Sequence, residues 1–309
     1  MLHFVKLIRL PNLIMMALAQ FMVRYCIIIP LFTWSAKINP EIRVEQMLHT
    51  GRTDFILLVL STVLVAAAGY IINDYFDTGM DSVNRPGKMI VGKHLSKSAA
   101  MNSYIALSAS GVLLGGWVAW HTGMFRLGMI NILTAGLLWF YSVDYKKTFL
   151  LGNVIIAFLS AVVPVVPALY EKEFYINFWY VLVYAVFAFL LTMAREVIKD
   201  VEDMEGDRME GCRTIPIVLG TGPAKMIAAA FALMAMIFTG IVLHRNFYHN
   251  QFMGFSSLIV IACLPFAGLI YLIFSSGTKK EIHFVSSYIR MLMLAGIMTM
   301  PLLWFLILK

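Results

Sequence analysis

Long apolar runs dominate this sequence and restrict the folds that it can adopt. Nine stretches are apolar enough, and close enough to the roughly 20 residues needed, to cross a bilayer as helices. They cover residues 11–33, 55–72, 99–120, 126–143, 149–169, 177–195, 224–243, 254–275 and 286–308. Only 13% of all residues are charged, about half the share found in soluble globular proteins. The sequence therefore predicts an all-α integral membrane protein, with residues 1–309 forming a single transmembrane domain.

The distribution of lysine and arginine between these spans predicts their orientation. With a cytoplasmic N-terminus, sixteen of the 24 basic residues lie on the cytoplasmic side and seven lie outside, while Arg24 falls within the first span. Cytoplasmic loops of membrane proteins carry such an excess of basic residues. We therefore expect the N-terminus inside and the C-terminus outside. Topology also accounts for the net charge of +7, so no nucleic acid is expected as a partner.

Acidic residues are concentrated on the same predicted side. The two long cytoplasmic loops, 73–98 and 196–223, contain ten of the 17 acidic residues. The first group is NDYFDTGMD, in which Asn73, Asp77 and Asp81 share a face if the second span continues as helix. Asp74 then lies about 100° round the helix. The glycine within DTGMD weakens the last turn, so Asp81 is expected just beyond the helix.

The second acidic group is KDVEDMEGD, which follows the sixth span. Asp200, Asp203 and Asp207 share one helix face, with Lys199 and Arg195 one and two turns before Asp203. Like charges at this spacing repel each other on a bare helix, so two such groups on one side of a membrane imply a cation between them.

The surrounding chemistry favours a metal-bound diphosphate. Mg²⁺ binds carboxylate and amide oxygens, and it commonly bridges a few carboxylates to the phosphates of a substrate. Lysine and arginine side chains are suited to the remaining phosphate oxygens. The basic residues close to the two acidic groups in sequence are Arg85, Lys93, Lys199 and Arg208.

With their flanking residues, the two groups resemble the motifs of the UbiA superfamily of intramembrane prenyltransferases. NDYFDTGMDSVNRPGK is similar to the first motif, N-D-x-x-D-x-x-x-D followed by an N-R-P-like segment, and KDVEDMEGDRMEGCRTIPIVLG is similar to the second. The resemblance covers nearly the whole chain. It implies nine helices around a central cavity, with two cytoplasmic cap loops that carry the motifs. It also implies Mg²⁺-dependent transfer of an isoprenyl group from its diphosphate to an acceptor, at the cytoplasmic side of the cell membrane.

The resemblance also implies roles for individual residues. The catalytic set would be Asn73, Asp77, Asp81, Asp203 and Asp207. The metal ligands would be these five residues together with Asp74 and Asp200. Residues expected to bind substrates are Asn12, Arg85, Lys93, Tyr141, Lys146 and Lys199. Candidates for stabilising an allylic cation through their aromatic faces are Phe76, Tyr104, Trp139, Tyr141 and Phe189.

The sequence around the two motifs leaves two acceptors open. REVIKDVEDMEGD most resembles the branch of the family that prenylates geranylgeranylglyceryl phosphate, which implies geranylgeranyl diphosphate as the donor. GKMIVGKH departs from the arginine- and proline-rich continuation that is common after the first motif, so an aromatic quinone precursor stays an alternative acceptor. A phosphate-bearing acceptor would need further cations, for which Lys147, Lys199 and Arg213 are candidates.

Two other classes of membrane protein were compared with this pattern. A CDP-alcohol phosphotransferase needs D-G-x-x-A-R between its aspartates, whereas Asp77 is followed by TGMDSVNRP. A cation transporter usually places ionisable residues near the bilayer midplane. In this sequence the ionisable residues lie at the ends of spans, which fits a transporter less well. A cation transporter is kept as the non-enzyme alternative.

Overall fold

A computed structural model describes residues 2–38, 43–87, 89–247 and 255–302. Within these ranges every regular element is a helix, and the β structure is limited to an isolated bridge between Val91 and Leu95. The predicted all-α class is confirmed for the described residues. Residue 254 and residues 303–308 of the last two predicted spans lie outside them, as do Lys88 and Lys309 from the count of basic residues.

Fourteen α-helices follow one another along the described chain. They are α1 (Leu2–Leu7), α2 (Leu10–Val23), α3 (Ile29–Ile38), α4 (Val44–Met47), α5 (Arg52–Phe76), α6 (Thr78–Asn84), α7 (Lys97–His121), α8 (Met129–Val143), α9 (Leu151–Leu169), α10 (Phe174–Met209), α11 (Ile215–Leu219), α12 (Thr221–Phe247), α13 (Phe255–Ser275) and α14 (Lys279–Met298). A π-helical turn, Arg24–Ile28, joins α2 to α3, and 3₁₀ turns at Phe125–Gly128 and Tyr145–Lys147 flank α8.

Eight helical segments in the described ranges are long and apolar enough to cross a membrane. They are Leu10–Ile38, Arg52–Phe76, Lys97–His121, Phe125–Val143, Leu151–Leu169, Phe178–Met209, Thr221–Arg245 and Lys279–Leu302. Each overlaps a predicted span, which confirms the membrane-protein class. The apolar segment Ala262–Ser275 in α13 is shorter, so the ninth span stays a prediction.

The sixth span differs most from its predicted boundaries. It was expected to end at residue 195 and to be followed by a long loop, but α10 continues to Met209. The extension contains no proline, one glycine and several strong helix formers, which explains why the helix outlasts its apolar pattern. It ends where Gly211 adopts a φ of 71°, a left-handed conformation typical of helix C-termini. The second acidic motif therefore lies on a helix.

The second span also continues into its acidic motif. The Asp77 amide donates to the Asn73 carbonyl at 2.9 Å, and the Asp81 amide donates to the Asp77 carbonyl at 2.8 Å, so the four-residue spacing is kept. The helix of the second span, α5, ends at Phe76, so Asp81 lies beyond it, as expected. The interruption falls at Asp77, and Asp81 lies within α6. Gly79 is in the first turn of α6.

The chain divides into two compact units that are interleaved in sequence. The first contains Met1–Lys146, Val162–Ala185 and Ile297–Lys309, and the second contains Lys147–Ala161 and Val186–Gly296. The largest core of the second unit joins the acidic end of α10 to α11, α12 and α14. Its fully buried alanines include Ala224, Ala228, Ala232 and Ala235 on α12, small side chains that allow close approach between membrane helices.

Close packing between α5 and α7 shapes the first unit. Gly111 and Gly115 form a GxxxG pattern on α7, a common feature of close contacts between membrane helices. A Cβ atom at Gly111 would lie 2.7 Å from Val65 Cγ2 and 3.0 Å from the Ser61 carbonyl oxygen. The absence of a side chain at Gly111 therefore allows the close contact with α5, the helix whose end carries the first acidic motif.

Candidate active site

Asp77 is held from two sides at the junction of α5 and α6. One carboxylate oxygen forms an ion pair with Lys146 Nζ. The other accepts a hydrogen bond of 2.6 Å from Asn73 Nδ2. The side chains of Lys146 and Asp77 are only 9% and 15% exposed, so this ion pair is largely removed from solvent. The predicted residues Asn73, Asp77 and Lys146 are thus brought together in the first unit.

The side-chain oxygen of Asn73 lacks a hydrogen-bond partner among the described residues. This atom, Oδ1, is buried. Buried polar atoms are nearly always paired in native proteins, so an orphaned amide oxygen beside carboxylates indicates a position for a missing donor or cation.

Asp81 adds a third oxygen-bearing side chain one turn further along. Burial, together with the nearby carboxylates of Asp77 and Asp74, raises the pKa of Asp81 to about 6, although Arg85 and Arg9 act in the opposite direction. The cluster therefore resists its own full ionisation, and a bound cation would relieve this repulsion.

The oxygen donors of Asn73, Asp77 and Asp81 fit a hard divalent cation. Within the described ranges, no three His, Cys, Asp or Glu side chains converge on one metal position. Mg²⁺ typically keeps several waters and binds through one or two carboxylates plus substrate phosphates, a mode that does not require such a cage.

Asp74 is engaged elsewhere, as its different position on the helix suggests. It accepts a hydrogen bond of 2.9 Å from Arg9 Nη2. The Arg9 guanidinium carbon lies 4.8 Å from the centroid of the Tyr70 ring, and the Tyr70 hydroxyl accepts a hydrogen bond of 3.2 Å from Asn12 Nδ2. Arg9 has a left-handed backbone, with φ 51°. These contacts tie the start of α2, including the predicted residue Asn12, to the first motif.

Asp200 is also anchored by a neighbouring helix. It accepts a hydrogen bond of 2.8 Å from Asn153 Nδ2 on α9, and Asn153 is buried. On the same stretch of α10, Lys199 Nζ donates to Glu196 at 3.1 Å, and Arg195 donates to Glu196 at 2.7 Å. Lys199, predicted to bind substrate, is therefore engaged by a carboxylate in the second unit.

The end of α10 is fixed by the last described helix. His283 on α14 lies 3.0 Å from Glu202, measured from Nδ1 to Oε1. Asp203 follows directly on α10, and Asp207, one turn later, is buried. This part of the second motif is therefore positioned on a packed helix.

Of the other predicted residues, Arg85 lies in the first motif, Lys93 on the loop that follows it, and Tyr141 on α8. Arg85 ends α6, and it is close enough to Asp81 to lower the pKa of that carboxyl. Lys93 Nζ donates to the Pro86 carbonyl at 2.7 Å, so its contact is with its own loop. Tyr141 lies on α8, five residues before Lys146.

Three of the candidate aromatic residues contact one another. The Trp139 ring centroid lies 5.6 Å from that of Phe76, which directly precedes Asp77, and 5.4 Å from that of Tyr104. Phe76 of the first motif is therefore part of an aromatic cluster in the same unit. Phe189 belongs to α10, within the second unit.

Sequence reasoning missed three residues that position the motifs. Arg9 was counted only as a topological charge, although it immediately precedes the leucine–proline start of α2. Asn153 had a detectable signal, because it is a polar residue within an otherwise apolar span. His283 had none, since nothing in the sequence links it to Glu202.

Comparison with known proteins agrees with the two motifs. The sequence pattern of the UbiA prenyltransferase family matches residues 44–293. The chain belongs to the UbiA prenyltransferase family. It is therefore a prenyltransferase of the UbiA type, and the resemblance of its motifs is confirmed.

Individual relatives narrow the comparison. The digeranylgeranylglyceryl phosphate synthase of Methanosphaera stadtmanae is 30% identical over 246 residues, which cover 80% of this chain and 86% of that protein. A solved structure of a digeranylgeranylglyceryl phosphate synthase has a TM-score of 0.62 and 24% identity, and it covers 98% of this chain and 96% of its own. A UbiA homolog from Archaeoglobus fulgidus bound to GPP and Mg²⁺ has a TM-score of 0.56 and 14% identity, with coverage of 97% and 99%. Both structures show that the fold is shared.

Proposed function

We propose that this UbiA-family protein transfers a geranylgeranyl group from its diphosphate to geranylgeranylglyceryl phosphate, in a reaction that requires Mg²⁺. The synthase relatives support this donor and acceptor. The homolog bound to GPP and Mg²⁺ supports a metal-bound isoprenyl diphosphate. In this chain, the observation that carries the proposal is the orphaned Asn73 oxygen beside the fixed carboxylate of Asp77.

Each motif carries its own set of proposed metal ligands. Asn73, Asp77 and Asp81 would hold Mg²⁺ in the first motif, and Asp203 and Asp207 form the second set. When bound, the ion offsets the negative charge that accumulates on the departing diphosphate. Asp74 and Asp200 are assigned as anchors, because they link their motifs to other parts of the chain through Arg9 and Asn153.

Basic side chains complete the binding of the donor. Lys146 orients Asp77 through its ion pair, and Arg85 contributes positive charge beside Asp81. Lys93 would have to release its bond to the Pro86 carbonyl to reach phosphate, which requires rearrangement of the loop. Lys199 is paired with Glu196, so we assign it to the shape of α10 instead of to donor binding.

The transfer replaces one carbon–oxygen bond with another. The bond from donor C1 to the diphosphate breaks, and its electron pair leaves with the diphosphate. The acceptor hydroxyl oxygen forms the new ether bond to C1 and releases its proton to the solvent or the product diphosphate. Aromatic faces attract cations, so the cluster of Phe76, Trp139 and Tyr104 is suited to the positive charge that develops on the allylic group. A membrane location limits competing attack by water.

We further propose that residues 1–309 form one domain of nine spanning helices, with both motifs at the cytoplasmic face. The family match crosses both compact units, which supports a single domain. The excess of lysine and arginine supports the orientation. The apolar composition of α13 supports its role as the further span.

The proposal is tested with detergent-purified protein, Mg²⁺, labelled geranylgeranyl diphosphate and geranylgeranylglyceryl phosphate. We expect mass spectrometry to identify digeranylgeranylglyceryl phosphate as the product. Asp77→Asn should reduce kcat by about 10²- to 10³-fold, the usual cost of losing a group that stabilises transition-state charge. Asp144→Asn is the matched control, because Asp144 is an exposed aspartate at the end of α8. Full activity of Asp77→Asn would contradict the first motif's role.

Two further assays test the requirement for Mg²⁺ and the identity of the acceptor. Chelation with EDTA should abolish transfer, and added Mg²⁺ should restore it. Turnover that continues unchanged in chelator would remove the metal from the proposal. An aromatic quinone precursor replaces the glyceryl phosphate in a parallel assay, and preferential prenylation of that compound would overturn the proposed acceptor.

A further inference from the structure

A cavity in the second unit lies outside the two acidic motifs. Its volume is about 460 Å³, and its lining residues are Lys147, Thr148, Phe149, Arg213 and Val218. The first three immediately precede α9, whereas Arg213 and Val218 belong to the segment that enters and forms α11. The cavity thus combines two cationic side chains with two exposed apolar ones.

A direct backbone contact builds the cationic wall. The Arg213 amide donates to the Lys147 carbonyl at 2.7 Å, which holds the two basic residues on neighbouring stretches of backbone. Arg213 follows the turn that ends α10, where the Cys212 amide donates to the Asp207 carbonyl at 2.9 Å. Lys147 is the residue after Lys146. Lys147 and Arg213 therefore each follow, along the chain, a segment that carries a candidate donor-site residue.

Lys147 in the cavity is held less tightly by a carboxylate than the neighbouring lysines are. Lys146 is paired with Asp77, and Lys199 is paired with Glu196. Lys147 lies 3.9 Å from Glu210, at the limit of an ion pair, with both side chains more than a third exposed. Such exposed pairs are weak and exchange readily for a stronger partner.

Arg213 gives the cavity an excess of positive charge. It is exposed, and it forms no salt bridge with the residues that the structure describes. Its guanidinium group matches phosphate oxygens in a two-pronged geometry, and a neighbouring ammonium group adds charge without fixing direction. An anion that carries two negative charges is therefore the natural occupant.

We propose that Lys147 and Arg213 bind the phosphate of the acceptor in this cavity, with Phe149 and Val218 contacting its apolar part. The ligand class is a phosphomonoester at the head of a single-chain amphiphile, and the inference rests on the function proposed above. A glycerol that carries one phosphate and one isoprenyl ether has one hydroxyl left to react. Holding the phosphate fixes that hydroxyl, which is how binding energy far from the reacting atoms is used for positioning.

The test compares Lys147→Ala, Arg213→Ala and the double variant with the unaltered enzyme in uncharged detergent micelles. We expect the KM for geranylgeranylglyceryl phosphate to rise about tenfold or more in the double variant, with the KM for the donor within about twofold of the unaltered value. Lys147→Arg should retain most of the affinity, because it keeps the charge. Lys280→Ala, at an exposed lysine of the same unit, is the control and should change neither constant.

A second arm separates the acceptor's phosphate from the headgroups of bulk lipid. The same variants are assayed in nanodiscs of neutral lipid and in nanodiscs containing phosphatidylglycerol. An effect that appears only with the anionic lipid would overturn the proposal in favour of a lipid site. An equal rise in the KM for the donor would also overturn it, because the residues would then belong to the diphosphate site.

The outcomes also separate this inference from the proposed function. Normal transfer to geranylgeranylglyceryl phosphate with an unchanged KM in the double variant overturns the inference alone. If the unaltered enzyme transfers to a different acceptor and not to this one, both the proposed function and the inference are overturned.

Discussion

Arg24 shows how a charged side chain can be stabilised within a membrane-spanning segment. Its guanidinium donates to the Thr50 side chain and carbonyl, each at 2.6 Å, and to Glu171 at 3.0 Å. Phe55 covers the group, with its ring centroid 4.7 Å away. Glu171 also accepts a bond of 2.6 Å from the His49 amide. A buried charge is costly unless it is paired and hydrogen-bonded. The two terminal nitrogens of Arg24 meet both conditions, while its buried Nε has no hydrogen-bond partner among the described residues.

The Arg24 network predicts an asymmetric response to mutation. Glu171→Gln leaves the arginine charge buried without its counter-charge, so we expect a loss of about 3–5 kcal/mol in the free energy of unfolding. The double variant Arg24→Met with Glu171→Leu should lose less, because no buried charge is left. Thermal unfolding in detergent measures the effect. Arg52→Gln, at an exposed arginine, is the control, and an equal melting temperature for Glu171→Gln would contradict the prediction.

Asp200 and Asp203 are neighbours in the second motif, but they are predicted to respond differently to the same change. Asp200→Asn keeps an acceptor oxygen for Asn153, so we expect most transfer activity to remain. Asp203→Asn removes a proposed metal ligand and should lower kcat by about 10²- to 10³-fold. The dependence of the rate on Mg²⁺ concentration measures both variants. Equal losses would assign Asp200 to the metal as well.

At the scale of the elements, α7 carries two glycines whose missing side chains make room for neighbouring helices. A Cβ atom at Gly115 would lie 1.5 Å from Asn131 Nδ2, at the end of a side chain on α8. Asn131 is itself bonded to Ser61 on α5, with 3.3 Å between its Nδ2 and the serine Oγ. The GxxxG face therefore brings three helices together beside the segment that ends in the first motif.

This packing predicts that Gly111→Ala destabilises the protein by about 1–3 kcal/mol, the usual cost of an overpacked interior. The added methyl group meets the backbone of α5, which cannot move aside as a flexible side chain could. Gly116→Ala on the same helix is the matched control, because a Cβ there would meet nothing within 4 Å. Melting temperatures of the two variants in detergent provide the measurement. Identical values would show that α7 can shift without cost.

At the scale of the whole molecule, hydrophobicity predicted where the eight membrane-length helices of the described ranges lie, but not where each of them ends. The apolar pattern of the sixth span stops near Arg195, whereas the helix continues until Gly211 can turn the chain. Four-residue spacing placed Asn73 and Asp77 together, because that relation is local. Partners distant in sequence, such as Glu171 for Arg24, 147 residues away, depend on packing that periodicity does not encode.

The orientation in the membrane is a property of the whole chain and gives the last prediction. In a background with Cys26, Cys212 and Cys263 replaced by alanine, Arg126→Cys and Lys280→Cys introduce single thiols at exposed positions. Each change removes one positive charge, so the pair is matched for its effect on topology. A membrane-impermeant maleimide should label residue 126 in right-side-out vesicles and residue 280 only in inverted ones. The reverse pattern would place the motif-bearing ends outside, away from a cytoplasmic supply of isoprenyl diphosphate.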